Sequence, residues 1–256
     1  MLKMDYSEIQ PIIDLHTCIQ GEGMKVGVPH ILIRTSGCNL RCTFKGSICD
    51  TAYSSWNPEK GKYSLNDVLA IIGCNPQISH LLITGGEPML HAELVSELVK
   101  IARQRALFIT METNGTVPPS EERIFDNFRL NLVSISPKLS SSIPCESFWA
   151  EKHGSLRENI PAIVSWIMKS LQHQLKYVVS GEDDITEVRG QLYKIRKYMD
   201  EIGLHPIPLN VYLMPEGDTE EKLAVKRKWL VQRCIDLGYN YTDRLHVIIF
   251  GTKRDA

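Results

Sequence analysis

The chain has 256 residues, 43% hydrophobic and 23% charged, with a formal net charge of −1. That is the profile of an ordinary globular protein long enough for a large core, and it gives no footing for nucleic acid as a partner. No run approaches the roughly 18 apolar residues of a membrane span, and Met1–Gln10 is too polar for an export signal, so neither a membrane nor secretion is expected. Seven cysteines in such a chain point to the reducing cytosol, where clustered cysteines bind metal more often than they form disulfides.

Short apolar runs rich in β-branched residues predict strands at Pro11–Thr17, His30–Thr35, His80–Thr84, Phe108–Glu112, Leu130–Ser136, Leu175–Val179, Leu209–Met214 and Leu245–Phe250. Amphipathic stretches lie between most of them. Ser64 with Asp67 three residues on reads as a capping box. Leu90–Arg105 sets Leu90, Leu94, Val95, Leu98 and Ile101 on one face, and Asp184–Ile202 and Asp218–Leu237 are similar in kind. In the last of these, acidic Asp218–Glu221 precedes basic Lys226-Arg-Lys228, the order that a helix dipole favours. Ser140–Asn159 is the least regular stretch and is expected to be a loop or partial lid. Strand, helix, strand at this spacing predicts an α/β fold of mostly parallel strands joined by right-handed crossovers, a (β/α) barrel or part of one. With no repeat and no linker, one domain over residues 1–256 is expected, with a short N-terminal extension and the less regular insert near 140–159.

Cys38, Cys42 and Cys49 share one loop after the apolar run Ile31-Leu-Ile-Arg34. Structural zinc closes with four ligands, and a cubane iron–sulfur cluster needs four cysteines unless one iron stays open. The spacing alone leaves three readings: such a cluster, a zinc knuckle completed by a distant histidine, or plain buried thiols. Cys74, Cys145 and Cys234 read as structural; Cys18 stays a candidate through its place beside Ile19-Gln-Gly.

In parallel α/β folds, ligands gather at the carboxyl ends of the strands. Five predicted strands end in Gly or Pro beside a polar group: the cysteine loop, Gly85-Gly-Glu-Pro88, Thr113-Asn-Gly115, Pro137-Lys138 and Pro215-Glu-Gly217. Ordinary turns use the same residues, but five on one rim beside three cysteines point to a site.

Cys38-x3-Cys42…Cys49 followed by Thr84-Gly-Gly-Glu-Pro88 resembles the radical S-adenosylmethionine (SAM) superfamily. Ile19-Gln-Gly-Glu-Gly23, Arg34-Thr-Ser-Gly-Cys-Asn-Leu40, Cys49-Asp-Thr51, Glu112-Thr-Asn-Gly115, Ser136-Pro-Lys138 and the closing Leu245-His…Phe250-Gly-Thr-Lys-Arg254 narrow the resemblance to the 7-carboxy-7-deazaguanine synthases of deazapurine (queuosine-type) biosynthesis. One departure stands out. The usual second gap between cysteines is two residues, and here it is six, Thr43 to Ile48, read as a four-residue insertion.

The resemblance implies a carbon–nitrogen lyase acting on 6-carboxy-5,6,7,8-tetrahydropterin. Hydrogen would be taken from C6 by a 5′-deoxyadenosyl radical, and the ring would contract with loss of ammonia to 7-carboxy-7-deazaguanine, with SAM regenerated. Cys38, Cys42 and Cys49 would hold a [4Fe–4S] cluster. Gly85, Gly86, Glu87, Ser136, Pro137, Lys138 and Met214, Pro215, Glu216, Gly217 would bind SAM. Ile19, Gln20, Gly21 and Thr84 would contact the pterin, and Arg34 would take its carboxylate, since a planar guanidinium grips that anion bidentately; an ion pair with a nearby Asp or Glu is the alternative for Arg34. Gln20 and Arg34 are the candidate catalytic residues. Thr51 falls where the family places a Mg²⁺ ligand, although a turn-stabilising hydroxyl would look the same. A reducing partner such as flavodoxin or ferredoxin and a homodimer are also implied. The rivals are another radical SAM enzyme, such as a glycyl-radical activase, and a zinc-stabilised binding module with no activity. Gln-Gly-Glu-Gly and Cys-Asp-Thr argue against the activase.

Overall fold

The computed structural model describes residues 4–44, 47–119, 130–145, 147–251 and 253–254. Chain order runs β1 (Ile9–Ile19), β2 (Pro29–Thr35), β3 (Thr43–Phe44), β4 (Ser47–Ile48), α1 (Ala52–Ser55), β5 (Tyr63–Ser64), α2 (Leu65–Cys74), β6 (His80–Gly85), α3 (Ala92–Gln104), β7 (Phe108–Thr113), β8 (Leu130–Ile135), α4 (Ser147–Leu156), α5 (Ile160–Met168), β9 (Ser170–Val179), α6 (Glu182–Glu201), β10 (Val211–Pro215), α7 (Glu220–Leu237), β11 (Asn240–Tyr241) and α8 (Leu245–Phe250).

Nine strands form one sheet in the order β11-β10-β9-β8-β7-β6-β2-β1-β5. From β2 to β11 every pairing is parallel; β1 runs antiparallel to both β2 and β5. The sheet is a partial barrel of mostly parallel strands, with its antiparallel edge at the N-terminal side. Strands buried on both faces need unbroken apolar runs: Ile31, Leu32 and Ile33 of β2 and Leu81, Leu82 and Ile83 of β6 are all buried. Helices cover the outer face. The inward stripe of α3 buries Leu94, Val95, Leu98, Val99, Ile101 and Ala102.

The predicted capping box holds, whereas Leu90, expected on the buried face of α3, lies before that helix and is exposed. Ser64 accepts from Asp67 N at 3.3 Å while Asp67 Oδ2 accepts from Ser64 N at 2.7 Å, a reciprocal cap on α2. Thr219 caps α7, and Gly238 in the left-handed region ends it.

Two expectations are corrected. Leu245–Phe250 is the helix α8, not a strand. A six-residue apolar run carries no period, and the sheet edge beside β10 is taken by the two-residue β11. Ser140–Asn159 is not a loop throughout, because it contains α4. The strand predicted at Leu175 also starts earlier, at Ser170.

The irregular stretch braces the cysteine loop. Thr43 of the insertion donates to Ile143 O at 3.2 Å, and Arg41 N donates to His153 Nδ1 at 3.3 Å. His153 is 1% exposed, and its Nε2 lies 3.0 Å from Ser142 Oγ. With Nδ1 accepting, the proton sits on Nε2. Burial, then the nearby Lys138 and Arg157 charges, push its pKa down to about 4. The Gly-Gly turn after β6 presses on the same loop from the other side. A Cβ on Gly86 would lie 2.2 Å from Gly37 O and 2.6 Å from Ser54 O, both backbone atoms with little room to retreat.

Two outcomes are expected. Gly86→Ala should cost about 1–3 kcal/mol in urea unfolding, and an unchanged midpoint would show that the loop is not held against the turn. Unfolded histidine titrates near pH 6.5 and the folded His153 excludes the proton. Its stabilisation is therefore complete above pH 6.5 and is lost as pH falls through about 4, on the order of 3 kcal/mol. His153→Gln should flatten that part of the stability–pH curve; parallel curves would refute the placement.

Candidate active site

The carboxyl ends of the strands open into a cavity of about 530 Å³. Its lining gathers residues far apart in sequence: Cys38, Cys42, Cys49 and Thr51; Gly85 and Gly86; Ser136 and Lys138; Met214, Glu216 and Gly217; and Ile19, Gln20, Gly21, Arg34 and Thr84. Of the residues singled out in the sequence, Glu87, Pro137 and Pro215 do not line it.

The cysteine loop leaves β2 and folds back on itself, Cys49 N donating to Cys42 O at 3.0 Å. The inserted residues form the β3–β4 hairpin, with Thr43 opposite Ile48 and Phe44 opposite Ser47; Lys45 and Gly46 lie outside the described residues. Leu40 N donates to Cys38 Sγ at 3.4 Å, and Trp56 Nε1 donates to Cys42 O at 3.0 Å. Burial pushes the Cys38 thiol up to about 11 and raises Cys42 and Cys49 as well. Cys42 is buried and Cys38 and Cys49 are half-buried, all three facing one cavity, with Asp50 Oδ1 3.7 Å from Cys49 Sγ; three thiols are a soft donor set suited to iron–sulfur chemistry. Among the described residues, no three His, Cys, Asp or Glu side chains are gathered closely enough to hold a single metal ion. Cys74 and Cys145 are exposed and Cys234 is buried, none of them lining the cavity. Cys18 does line it, 3.4 Å from His30 Nε2.

Glu87 is fully buried and turned toward β7. Its carboxylate accepts from Asn114 N at 2.8 Å, Thr113 Oγ1 at 2.9 Å and Met89 N at 3.2 Å. Burial raises its pKa to about 7 against these donors. Beyond the glycines, Lys138 Nζ donates to Ser136 Oγ at 2.9 Å.

Opposite the thiols lies a charged half of the cavity. Arg34 Nε donates to Asp14 at 2.9 Å, and Tyr53 Oη donates to the same oxygen at 3.1 Å. Both terminal nitrogens of Arg34 are without a protein partner among the described residues, so the ion pair uses one edge and leaves the other to the cavity. Thr84 Oγ1 donates to Glu112 at 2.9 Å, and Gln20 Nε2 lies 3.4 Å from the other Glu112 oxygen. Gln20 Oε1 accepts from Gly21 N at 3.0 Å, which fixes the amide's orientation. Thr51 Oγ1 is 3.3 Å from Cys49 Sγ, and its carbonyl accepts from Ser54 at the start of α1.

Sequence reading passed over Glu22, Glu112, Lys176, Arg244 and His246, all of which line the cavity. Lys176 Nζ donates to Glu22 at 2.6 Å and to Glu112 at 3.4 Å. Burial favours its neutral form, but Glu112 and Glu22 outweigh that and raise its pKa above the ordinary lysine value. Arg244 donates to Glu22 at 3.0 Å, to Gly217 O at 2.6 Å and to Asp50. Gly23 has φ +73°, and a Cβ there would meet the Gln174 amide at 2.3 Å. That contact is why the Gln-Gly-Glu-Gly turn can lie flat on β9 and present Glu22 to Lys176. A lysine inside the otherwise apolar run Leu175–Val179 was the available signal for Lys176; Glu22 and Glu112 sat inside quoted motifs without a role.

The radical SAM superfamily matches residues 32–143. A 7-carboxy-7-deazaguanine synthase of Halobacterium salinarum is 36% identical over 249 residues, covering 94% of this chain and 90% of its own length. One of Rhodopirellula baltica is 35% identical over 238 residues, covering 92% and 84%. The crystal structure of QueE from Escherichia coli superposes with a TM-score of 0.64 at 22% identity, covering 92% of this chain and 94% of that one, and so shares the fold. With curated relatives at this identity along nearly its whole length, the chain belongs to the 7-carboxy-7-deazaguanine synthases of the radical SAM superfamily.

Proposed function

We propose that the cavity binds 6-carboxy-5,6,7,8-tetrahydropterin between the thiol half and the charged half and converts it to 7-carboxy-7-deazaguanine with release of ammonia. The observation that carries this reading is the meeting of Cys38, Cys42, Cys49, Gly85, Gly86, Gln20, Thr84 and Arg34 in one cavity. The relatives' shared name supplies the chemistry. A glycyl-radical activase is not favoured, since curated matches spanning over nine-tenths of the chain are named as the synthase.

The superfamily implies a [4Fe–4S] cluster and SAM. Cys38, Cys42 and Cys49 would hold the cluster, which with SAM supplies a 5′-deoxyadenosyl radical when bound. Gly85 and Gly86, packed without side chains against the end of β2, would present their backbone to SAM, with Ser136, Lys138, Met214, Glu216 and Gly217 along the same wall. Glu87 and the two prolines serve this wall from behind, Glu87 by fixing the turn of β7 and Pro137 and Pro215 by shaping theirs.

Arg34 presents its free edge to the substrate carboxylate. Asp14 and Tyr53 orient the guanidinium, so little freedom is lost on binding. Gln20 and Thr84, each tied to Glu112, offer hydrogen bonds to the heterocycle, and Ile19 and Gly21 border it. Lys176, held between two carboxylates, fixes the charge of that wall. Thr51 with its neighbouring oxygens would be the protein's contribution to a Mg²⁺ site, a cation that keeps most of its waters. Its hydroxyl is exposed to the cavity beside the last cysteine. One sheet that draws strands from Ile9 to Tyr241 supports a single domain. The homodimer, the cytosolic setting and a flavodoxin- or ferredoxin-type donor belong to the same reading. Among the described residues, no helix is long and apolar enough to cross a membrane.

Given reductant, SAM, Mg²⁺ and the pterin under anaerobic conditions, the reconstituted protein should release equimolar ammonia and 7-carboxy-7-deazaguanine. No product from protein with a full complement of iron and sulfide would overturn the assignment. Arg34→Ala should weaken pterin binding by roughly 2–5 kcal/mol, because the anion loses its partner, and Arg34→Lys should fall between. Wild-type affinity of Arg34→Ala in equilibrium titration would confine Arg34 to its pair with Asp14.

A further inference from the structure

Resting on the proposed cluster at Cys38, Cys42 and Cys49, an electron must reach this loop from outside, and its cavity side is given to SAM and substrate. The outer side carries an unusual patch. Arg41, covalently next to Cys42, places its guanidinium 4.4 Å from the ring centre of Trp149, and Lys152 Nζ sits 5.0 Å from the same ring. Phe148 meets Trp149 edge-on at 5.3 Å and is 69% exposed. Two cations held against one indole repel each other, and the ring's negative face offsets only part of that. Among the described residues, neither Arg41 nor Lys152 forms an ion pair, although Arg41 Nη1 donates to Cys38 O at 2.7 Å and Leu40 O at 2.9 Å. Among the described residues, the exposed Glu151 of the same helix leaves the patch net positive.

We propose that this face of α4, formed by Phe148, Trp149 and Lys152 with Arg41 beneath, is the docking surface for an acidic one-electron carrier protein. Charge fits: an anionic rim around the carrier's redox centre would neutralise Lys152 and Arg41, while Phe148 supplies the dry contact that a small transient interface needs. Position fits as well. His153, one residue past Lys152, is bonded to Arg41 N, so the helix sits directly on the chain segment between two of the three cysteines. In the step itself the reduced carrier loses one electron and the cluster gains it; no bond or proton moves.

Lys152→Glu and Phe148→Ser test the surface, since neither side chain is part of the cavity or of the hold on the cysteine loop. Reduced flavodoxin and reduced ferredoxin are each mixed anaerobically with the cluster-loaded protein. Carrier oxidation is followed by stopped flow, and affinity for the oxidised carrier by calorimetry. Lys152→Glu should slow reduction by the more effective carrier, and weaken its binding, about tenfold at low salt. The gap should close as ionic strength rises toward about 0.5 M. Phe148→Ser should weaken binding at every salt concentration. Reduction by dithionite, which needs no docking, should be the same in all three proteins. Equal carrier rates and affinities in wild type and both variants would overturn the docking surface. A wild type whose absorbance dithionite cannot bleach would instead overturn the cluster reading, and the surface with it.

Discussion

The site depends on one close approach of backbone to backbone. Glu87 N donates to Gly37 O at 2.9 Å, Gly86 N to Thr35 O at 3.3 Å, and Gly37 N to Ser54 O at 2.8 Å. These three bonds lock the end of β2, the turn after β6 and the helix α1 that follows the cysteine loop. They form only because Gly86 lacks a Cβ. The lock extends sideways through side chains. Glu87 fixes Asn114, Asn114 Nδ2 donates to Asn39 Oδ1 at 3.0 Å, and Asn39 Nδ2 donates to Thr116 Oγ1 at 2.7 Å. The residue after the first cysteine is thereby tied to the end of β7. A thiol set built on a loop needs such bracing, because a loop supplies none of its own.

The two halves of the cavity follow opposite electrostatic rules. Around Cys38, Cys42 and Cys49 burial opposes charge, and the thiols stay protonated until something neutralises them. Any occupant that needs thiolates there would release protons on binding. Around Lys176, Glu22 and Arg244 every charge already has its counterion, so burial does not discharge it. That half is pre-organised by its own ion pairs, the condition for orienting a ligand rather than moulding to it.

What the sequence made legible was the chemistry that is local. The cysteines, the Gly-Gly-Glu-Pro turn and the strand-end prolines each occupy a few consecutive residues, and the parallel order of the strands then carried them to one rim. The capping box at Ser64 was legible for the same reason. Contacts between distant residues were not: Lys176 and Glu22 are 154 positions apart, and nothing in a window of residues joins them. Glu87 shows the limit within a motif. Its type and place suggested a group facing SAM, yet burial and three donors commit it to β7. Arg34 makes the ion pair that was its alternative reading, through one edge on Asp14, while the residue still lines the cavity. In Leu245–Phe250, apolar content without alternation fitted strand and helix alike, and the neighbouring edge decided it.

The insertion illustrates why spacing is a weaker constraint than pairing. Six residues separate Cys42 from Cys49, but Cys49 N bonds back to Cys42 O, so the two cysteines stand on one rung whatever lies between them. The extra length leaves as a hairpin whose strands pair with each other. Lengthening a loop costs only slowly growing entropy, and Thr43 recovers part of it against Ile143. The same contact brings residues 140–143 and α4 against the loop's outer side. On that side Arg41, between the first two cysteines, rests on the ring of Trp149. The bond from Cys49 N to Cys42 O thus separates the cysteine rung from the hairpin, whose outer contact falls on Ile143.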